Sequence, residues 1–309
     1  MPVGGGFFVT DQTANGGPTM HAGPGVTGPA SPGIMGGVAL CLLSIASVQF
    51  GSAFSATAID AYGPFATTFL RLAFAALILV AIVRPPVRTY SRAQWKSAIT
   101  LGVAMAGMTL CFFSAMQRIP LGLVVAIDFL GPLAVATVTL GGGWRLVWPL
   151  AALAGVLLLA HDGEGWTGDP VGILFALGAA TGWGSYIVLM KKSGTLFKGL
   201  EGLTMSLVVA TVAAAPFGLV RAPEAMSFDG LSMILGLAIL VPLLPYALEM
   251  IALRRMPTAA FGILMSLEPA MGALAGFLVL SQPMTPWQML GTGLVVLASA
   301  GVTTSTKEV

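Results

Sequence analysis

Charged residues are scarce in this sequence. Only 8% of its 309 residues are Asp, Glu, Lys or Arg, whereas 56% are hydrophobic. A soluble domain carries roughly a quarter charged residues, because water must solvate its surface. A chain this apolar is solvated by lipid instead, so the composition predicts an integral membrane protein. The net charge of +2 is spread between apolar runs, which argues against a nucleic-acid partner.

Residue types and motifs that carry enzyme chemistry are also rare. The two cysteines, Cys41 and Cys111, lie inside apolar runs without CxxC spacing, so neither a disulfide framework nor a cysteine metal site is expected. The sequence has no GxxxxGK(S/T), HExxH or GxSxG motif, which excludes a P-loop ATPase and weakens a membrane-embedded hydrolase. We therefore expect no cofactor, no metal and no enzyme activity.

Ten apolar runs follow a polar segment at the start of the chain. Residues 1–32 are rich in Gly, Pro, Ser and Thr without Lys or Arg, which predicts a disordered tail. Each later run is near the roughly 20 residues that a helix needs to cross a bilayer, and open sheet edges cannot face lipid. The predicted helices are 34–54, 64–83, 97–116, 121–140, 147–160, 170–190, 203–220, 231–251, 259–280 and 286–304. The prediction is an all-α integral membrane fold of ten transmembrane helices.

Lys and Arg are distributed unevenly among the predicted loops. With the N-terminus in the cytoplasm, eleven of the fourteen fall in cytoplasmic segments, Arg118 and Arg221 fall in outer loops, and Arg71 lies inside a helix. Cytoplasmic loops of membrane proteins carry an excess of positive residues. The bias therefore predicts that both termini are cytoplasmic.

The two halves of the chain resemble each other. Residues 115–120 (AMQRIP) match residues 252–257 (ALRRMP) at an offset of 137, and the same offset places Pro132 on Pro269. Five predicted helices separate the copies, so the repeats 33–160 and 161–305 would have opposite orientations, as in many secondary transporters. The alternative is chance similarity between apolar segments, against which the shared arginine and prolines argue.

Three segments resemble a known transporter family. Residues 245–258, 262–270 and 120–133 are similar to the inner-membrane threonine/homoserine exporters, which belong to the EamA family of the drug/metabolite transporter superfamily. The resemblance covers nearly all of 34–305. It implies two five-helix halves around a central cavity, in a bacterial inner membrane, and the export of small amino acids.

Charged residues within the predicted helices are candidates for the site, because a charge in hydrocarbon costs at least a few kcal/mol. Arg71 lies on the order of 10 Å deep, and Asp128 and Glu268 lie at similar depth, one in each half. We expect both acids to line the cavity, with one exchanging protons and the other binding the substrate's ammonium group. Arg71 binds the substrate carboxylate or, in the interpretation that we favour, pairs permanently with an acid and stabilises helix packing.

A fourth acid, Glu249, is expected near the cytoplasmic end of the eighth helix. It is either an interfacial group that pairs with a nearby arginine such as Arg254 or part of an inner gate. Pro242 and Pro245 lie in the same helix, where they free backbone carbonyls that become ligands, a hinge or an inert kink.

Four uncharged residues complete the candidate substrate-binding set. Gln49, Trp183, Tyr186 and Tyr246 would line the cavity, or would serve as membrane-interface anchors and interhelical hydrogen bonds. Separately, the spacings Gly178–Gly182 and Gly272–Gly276 permit close helix contact and leave a homodimer possible.

These features together favour a secondary transporter that exports threonine, homoserine or similar amino acids by alternating access with proton antiport. One alternative keeps the fold and exports another metabolite or a drug. A membrane-embedded enzyme would need a clustered nucleophile and base, and a channel would need symmetric pore residues. Neither pattern is visible in the sequence.

Overall fold

The structure, a computed structural model, describes residues 32–140, 147–161, 168–253, 255–256, 261 and 264–305. These residues form helices joined by short turns, with no strand among them, which confirms the all-α prediction. The helices are α1 (Pro32–Val83), α2 (Arg92–Met116), α3 (Leu121–Asp128), α4 (Leu130–Leu140), α5 (Val147–Leu159), α6 (Pro170–Leu196), α7 (Glu201–Gly218), α8 (Phe228–Ala238), a π-helical segment (Ile239–Leu243), α9 (Leu244–Leu253), α10 (Glu268–Leu280) and α11 (Pro286–Ser305). The predicted disordered tail lies outside the described residues except for Pro32, which begins α1.

The described helices are those of a multi-pass membrane protein. By length and composition, Met35–Val83, Arg92–Met116, Pro170–Leu196 and Glu201–Gly218 each suffice to cross a bilayer. Their outer faces carry large exposed apolar side chains, as contact with lipid requires. The elements do not reproduce the predicted runs one for one, because two runs are joined in α1 and two others are divided. The count of ten helices, the two repeats and their inverted orientation stay predictions.

The element α1 is a helical hairpin rather than one straight helix. At Gly63 the backbone leaves helical geometry with φ 80° and ψ 161°, and Pro64 begins the second limb. A positive φ favours glycine, and proline suits the first turn of a helix because it has no N–H to lose. The hydroxyl of Thr67 donates to the carbonyl of Ala58 at 3.0 Å, across nine residues of sequence. The predicted helices 34–54 and 64–83 therefore correspond to the two limbs, 32–62 and 64–83.

The predicted eighth helix is broken in its middle. The π-helical segment Ile239–Leu243 separates α8 from α9, and Val241 within it is extended with φ −149° and ψ 115°. Pro242 causes this locally, because its ring prevents the preceding residue from staying helical and its nitrogen donates no hydrogen bond. The break exposes backbone carbonyls inside the bundle, as the proline positions predicted.

Small residues allow the helices to pack closely. α2 packs against α6 and α7, α3 packs against α10, and α5 packs against α11. Glycine replaces a side chain at several of these contacts: Gly182 of α6 lies on Met108 of α2, and Gly272 of α10 lies on Val125 of α3. Both predicted glycine pairs thus contribute to contacts within the chain, and the homodimer is left without support from them.

The connecting turns gather at the two ends of the bundle. At one end, Gly63, Arg118 and Arg221 line a cavity. At the other, Tyr90 packs its ring edge-on against Phe197, with ring centroids 5.2 Å apart. The two predicted outer arginines therefore share one end of the bundle, while the membrane orientation stays a prediction.

Candidate functional site

A central cavity of about 220 Å³ lies between the first limb of α1 and the helices that surround it. Its wall is largely apolar, with polar groups contributed by α1, α2, α3, α6, α9 and α10. Seven of the eight sequence-predicted site residues line it: Gln49, Arg71, Asp128, Trp183, Tyr186, Glu249 and Glu268. The eighth, Tyr246, lies in α9, and its side chain is outside the described residues. Residues that were predicted from the sequence as one site thus share one cavity, while their roles stay predictions.

Arg71 is buried and is held by neutral groups. Its Nη1 donates to the hydroxyl of Ser55 at 3.1 Å, and its Nη2 donates to the carbonyl of Val241 at 2.9 Å. Its guanidinium carbon lies 4.5 Å from the centre of the Phe113 ring, within cation–π distance. The salt bridges found among the described residues are Arg118–Asp169 and Arg221–Glu224, so Arg71 has no acid within 4.0 Å there.

This environment corrects the interpretation that Arg71 pairs permanently with an acid. A hydroxyl, a backbone carbonyl and a ring fix the guanidinium in place, but none of them neutralises its charge. A buried charge without a counter-ion is costly. A role of Arg71 in substrate binding stays a prediction.

Three carboxyl groups face the same cavity from different helices. Asp128 ends α3 and Glu268 begins α10, and both are buried. Glu249 of α9 accepts a hydrogen bond from the hydroxyl of Ser44 at 2.8 Å. Glu268 lies within electrostatic range of the other two acids. Glu249 thus lines the cavity. Its position relative to the membrane interface stays a prediction, and a pair with Arg254 concerns a residue outside those described.

The broken helix contributes backbone acceptors that α1 satisfies. The hydroxyl of Ser47 donates to the carbonyl of Leu240 at 2.8 Å, and the Ser44 hydroxyl lies 3.4 Å from the carbonyl oxygen of Pro245. With the bond from Arg71 to Val241, two carbonyls at the break are bound by side chains of α1, while the Ser44 hydroxyl donates its one proton to Glu249. The broken segment is therefore tied to both limbs of the hairpin.

Several buried polar atoms at the cavity have no hydrogen-bond partner among the described residues. They are Nε of Arg71, Oγ1 of Thr68, Oε1 of Gln49 and Oδ1 of Asp128. Buried polar groups are normally paired, because an unpaired one costs roughly 1–3 kcal/mol. Two donors and two acceptors left open at one cavity fit a polar ligand that carries both kinds of group.

Sequence reasoning missed Thr68, Ser55 and Phe113. Thr68 lies three residues before Arg71, so both side chains project from one face of the helix. That spacing was a usable signal, whereas Ser55 and Phe113 meet Arg71 only through the fold. Among the described residues, no group of three or more His, Cys, Asp or Glu is arranged to hold a metal ion.

Comparisons with known proteins agree with this architecture. The EamA-like transporter family matches residues 170–304. The threonine/homoserine exporter RhtA of Escherichia coli (strain K12) is 34% identical over 273 residues, which cover 88% of this chain and 92% of the relative. The exporter of the same name from Salmonella typhimurium (strain SL1344) is 33% identical over 268 residues, which cover 86% of this chain and 90% of the relative.

A solved crystal structure of a protein also matches this chain. It covers 85% of this chain and 96% of its own, with a TM-score of 0.57 and 17% identity, which shows a shared fold alone. The exporters match over a similar share of their length, but at 33–34% identity. Apolar helices and these relatives together establish that the chain is a multi-pass membrane protein that belongs to the EamA transporter family.

Proposed function

We propose that this protein exports threonine, homoserine or a similar small amino acid across the bacterial inner membrane. Transport proceeds by alternating access, with both termini in the cytoplasm and with proton antiport as the driving force. The observation that carries the proposal is the central cavity, which one guanidinium and three carboxyl groups line without a salt bridge between them among the described residues. Relatives that are named threonine/homoserine exporters supply the substrate class.

The size of the cavity favours a small metabolite over a drug. Its volume of about 220 Å³ lies below the roughly 300–1,000 Å³ of pockets that hold drug-sized ligands. A zwitterionic amino acid brings a carboxylate for the guanidinium and an ammonium group for a carboxyl oxygen. One small zwitterionic molecule can therefore compensate both the positive and the negative groups of the cavity.

The charge balance of the cavity supports proton coupling. If Asp128, Glu249 and Glu268 were all ionised beside one arginine, two negative charges would be buried without compensation. Such burial is costly, and binding of protons or of a cationic group removes the cost. Competition between a proton and the substrate ammonium for the same carboxyl group is the basis of antiport, and we assign it to Asp128 and Glu268.

A growth experiment tests the substrate class. Overexpression in a bacterium poisoned by excess threonine or homoserine should confer resistance and lower the intracellular level of the amino acid. A vector that carries no transporter gene is the control. Continued sensitivity, together with efflux of a different compound, would refute the amino-acid proposal and favour the same fold with another cargo.

Reconstitution tests the coupling. In proteoliposomes, Glu268→Gln should lose threonine uptake driven by a pH gradient but retain exchange of labelled for unlabelled threonine, because only the proton-dependent step needs the acid. Glu224→Gln is the matched control, since Glu224 is an exposed carboxylate that pairs with Arg221 at the end of the bundle. Gradient-driven uptake by Glu268→Gln at the wild-type rate would remove Glu268 from the mechanism.

A further inference from the structure

Two open hydrogen-bond donors lie one helical turn apart on the second limb of α1. Thr68 and Arg71 are both buried, and both line the cavity. Neither the hydroxyl of Thr68 nor Nε of Arg71 has a hydrogen-bond partner among the described residues. Threonine in a helix commonly bonds a carbonyl of the preceding turn, so an unengaged hydroxyl here calls for another acceptor.

The guanidinium of Arg71 is oriented by its other contacts. Ser55 holds Nη1, the Val241 carbonyl holds Nη2, and Phe113 lies against one face. On the edge that carries Nε, the Nε–H is thus a buried donor without a hydrogen-bond partner among the described residues. Carboxylates bind arginine through paired N–H groups along an edge, so this N–H and the Thr68 hydroxyl form a set of donors suited to one carboxylate.

The open acceptors come from other helices. One is Oδ1 of Asp128, the last residue of α3. The other is Oε1 of Gln49, which lies on the first limb of α1 close to Gly272. An ammonium group is a donor only, and it requires acceptors of this kind. The donors thus lie on the second limb of α1, and the acceptors lie on its first limb and on α3. A ligand with a single charge, or with none, would leave one of these two sets without a partner.

We propose that Arg71 and Thr68 form the carboxylate subsite of this transporter, with Asp128 and Gln49 receiving the ammonium group. The inference rests on the function proposed above, in which the substrate is a zwitterionic amino acid. It adds Thr68 as a specificity-determining residue and names the groups that receive each end of the substrate.

The test compares variants of Thr68 in proteoliposomes with labelled threonine. Thr68→Val keeps the shape and removes the hydroxyl, so the KM for threonine should rise at least about tenfold, the effect of losing a hydrogen bond to a charged group. Thr68→Ser keeps the hydroxyl and should restore a KM near the wild-type value. A purely structural role would not produce that rescue, because serine fills the site less well than valine.

Thr67→Val is the matched control. It makes the same change one residue away, at a buried hydroxyl that is already bonded to the Ala58 carbonyl. We expect some loss of thermal stability and a wild-type KM. Equal KM values for the Thr68→Val and Thr67→Val variants would overturn the assignment of Thr68.

Competition with analogues tests the two-ended recognition on the wild-type protein. Threonine amide lacks the carboxylate and N-acetylthreonine lacks the ammonium charge, so each should inhibit labelled threonine uptake at least about tenfold more weakly than threonine does. Inhibition by threonine amide as strong as that by threonine would refute the carboxylate subsite while leaving amino-acid export intact. Absence of threonine and homoserine transport by the wild-type protein would instead refute the proposed function itself.

Discussion

Gly131 lies where α4 and α6 touch through their backbones, beside the cavity. A Cβ atom at this position would overlap the carbonyl oxygen of Ala180 and would lie 2.9 Å from its carbonyl carbon and 3.1 Å from the nitrogen of Gly184. Carbon atoms in ordinary contact are about 3.5–4.0 Å apart. Because the obstacles are backbone atoms, Gly131→Ala forces the two helices to separate by an amount on the order of 1 Å.

The expected cost follows from two opposing effects. Overpacking a close contact costs about 1–3 kcal/mol, and replacing a helical glycine by alanine returns about 0.5–1 kcal/mol. The net expectation for Gly131→Ala ranges from about zero to a loss of about 2.5 kcal/mol in the free energy of unfolding, and the overlap with backbone atoms favours the upper end. Transport should fall as well, since Asp128 lies one turn before Gly131 and Trp183 is next to Gly184.

Gly107→Ala is the control for this prediction. Gly107 lies in the middle of α2, and a Cβ atom there would meet nothing within 4 Å. The measurement is the midpoint of thermal unfolding in detergent, together with initial rates of threonine transport in proteoliposomes. Gly131→Ala should lower both, and Gly107→Ala should lower neither. An unfolding midpoint for Gly131→Ala at or above the Gly107→Ala value would refute the backbone-contact argument.

Two further substitutions test individual side chains. Arg71→Lys keeps the charge, but one ammonium group cannot bond Ser55 and Val241 as the planar guanidinium does and still offer a free donor to the substrate. The KM for threonine transport should therefore rise at least about tenfold. A wild-type KM would contradict this prediction. Burial, followed by the hydrogen bond to Glu201 and its charge, raises the pKa of Tyr90 from 10.0 to about 12. The stability from this contact is therefore complete below about pH 10 and is lost as the pH rises through about 12. Unfolding midpoints should fall more steeply over that range for the wild type than for Tyr90→Phe, and parallel curves would refute the contact.

Much of the site followed from the sequence because lipid makes isolated charges conspicuous. Arg71, Asp128 and Glu268 each interrupt an apolar run, and all three line one cavity in the structure. The break in the eighth helix was visible in Pro242, since proline disturbs a helix wherever it lies in the interior.

The partners of those residues were not predictable in the same way. Arg71 is held by a serine and a backbone carbonyl, and neither leaves a charge in the sequence that would identify it. Ser55 lies 16 residues before Arg71, and only the reversal at Gly63 brings the two together. Likewise, the side chain of Gln282 accepts a hydrogen bond from the backbone N–H of Leu121 across 161 residues, a contact that local patterns do not reveal.

The hydrogen bonds at the broken helix constrain any motion of the hairpin α1. The side chains of Ser47 and Arg71 donate hydrogen bonds to the carbonyl oxygens of Leu240 and Val241. Removing the hydrogen-bond donors from these carbonyl oxygens without replacing them by water would cost several kcal/mol for each oxygen. If one half rocks against the other, either the hairpin and the break travel as a single body, or solvent enters to replace the lost donors. Wetting of this short stretch of backbone would then be a step of the transport cycle.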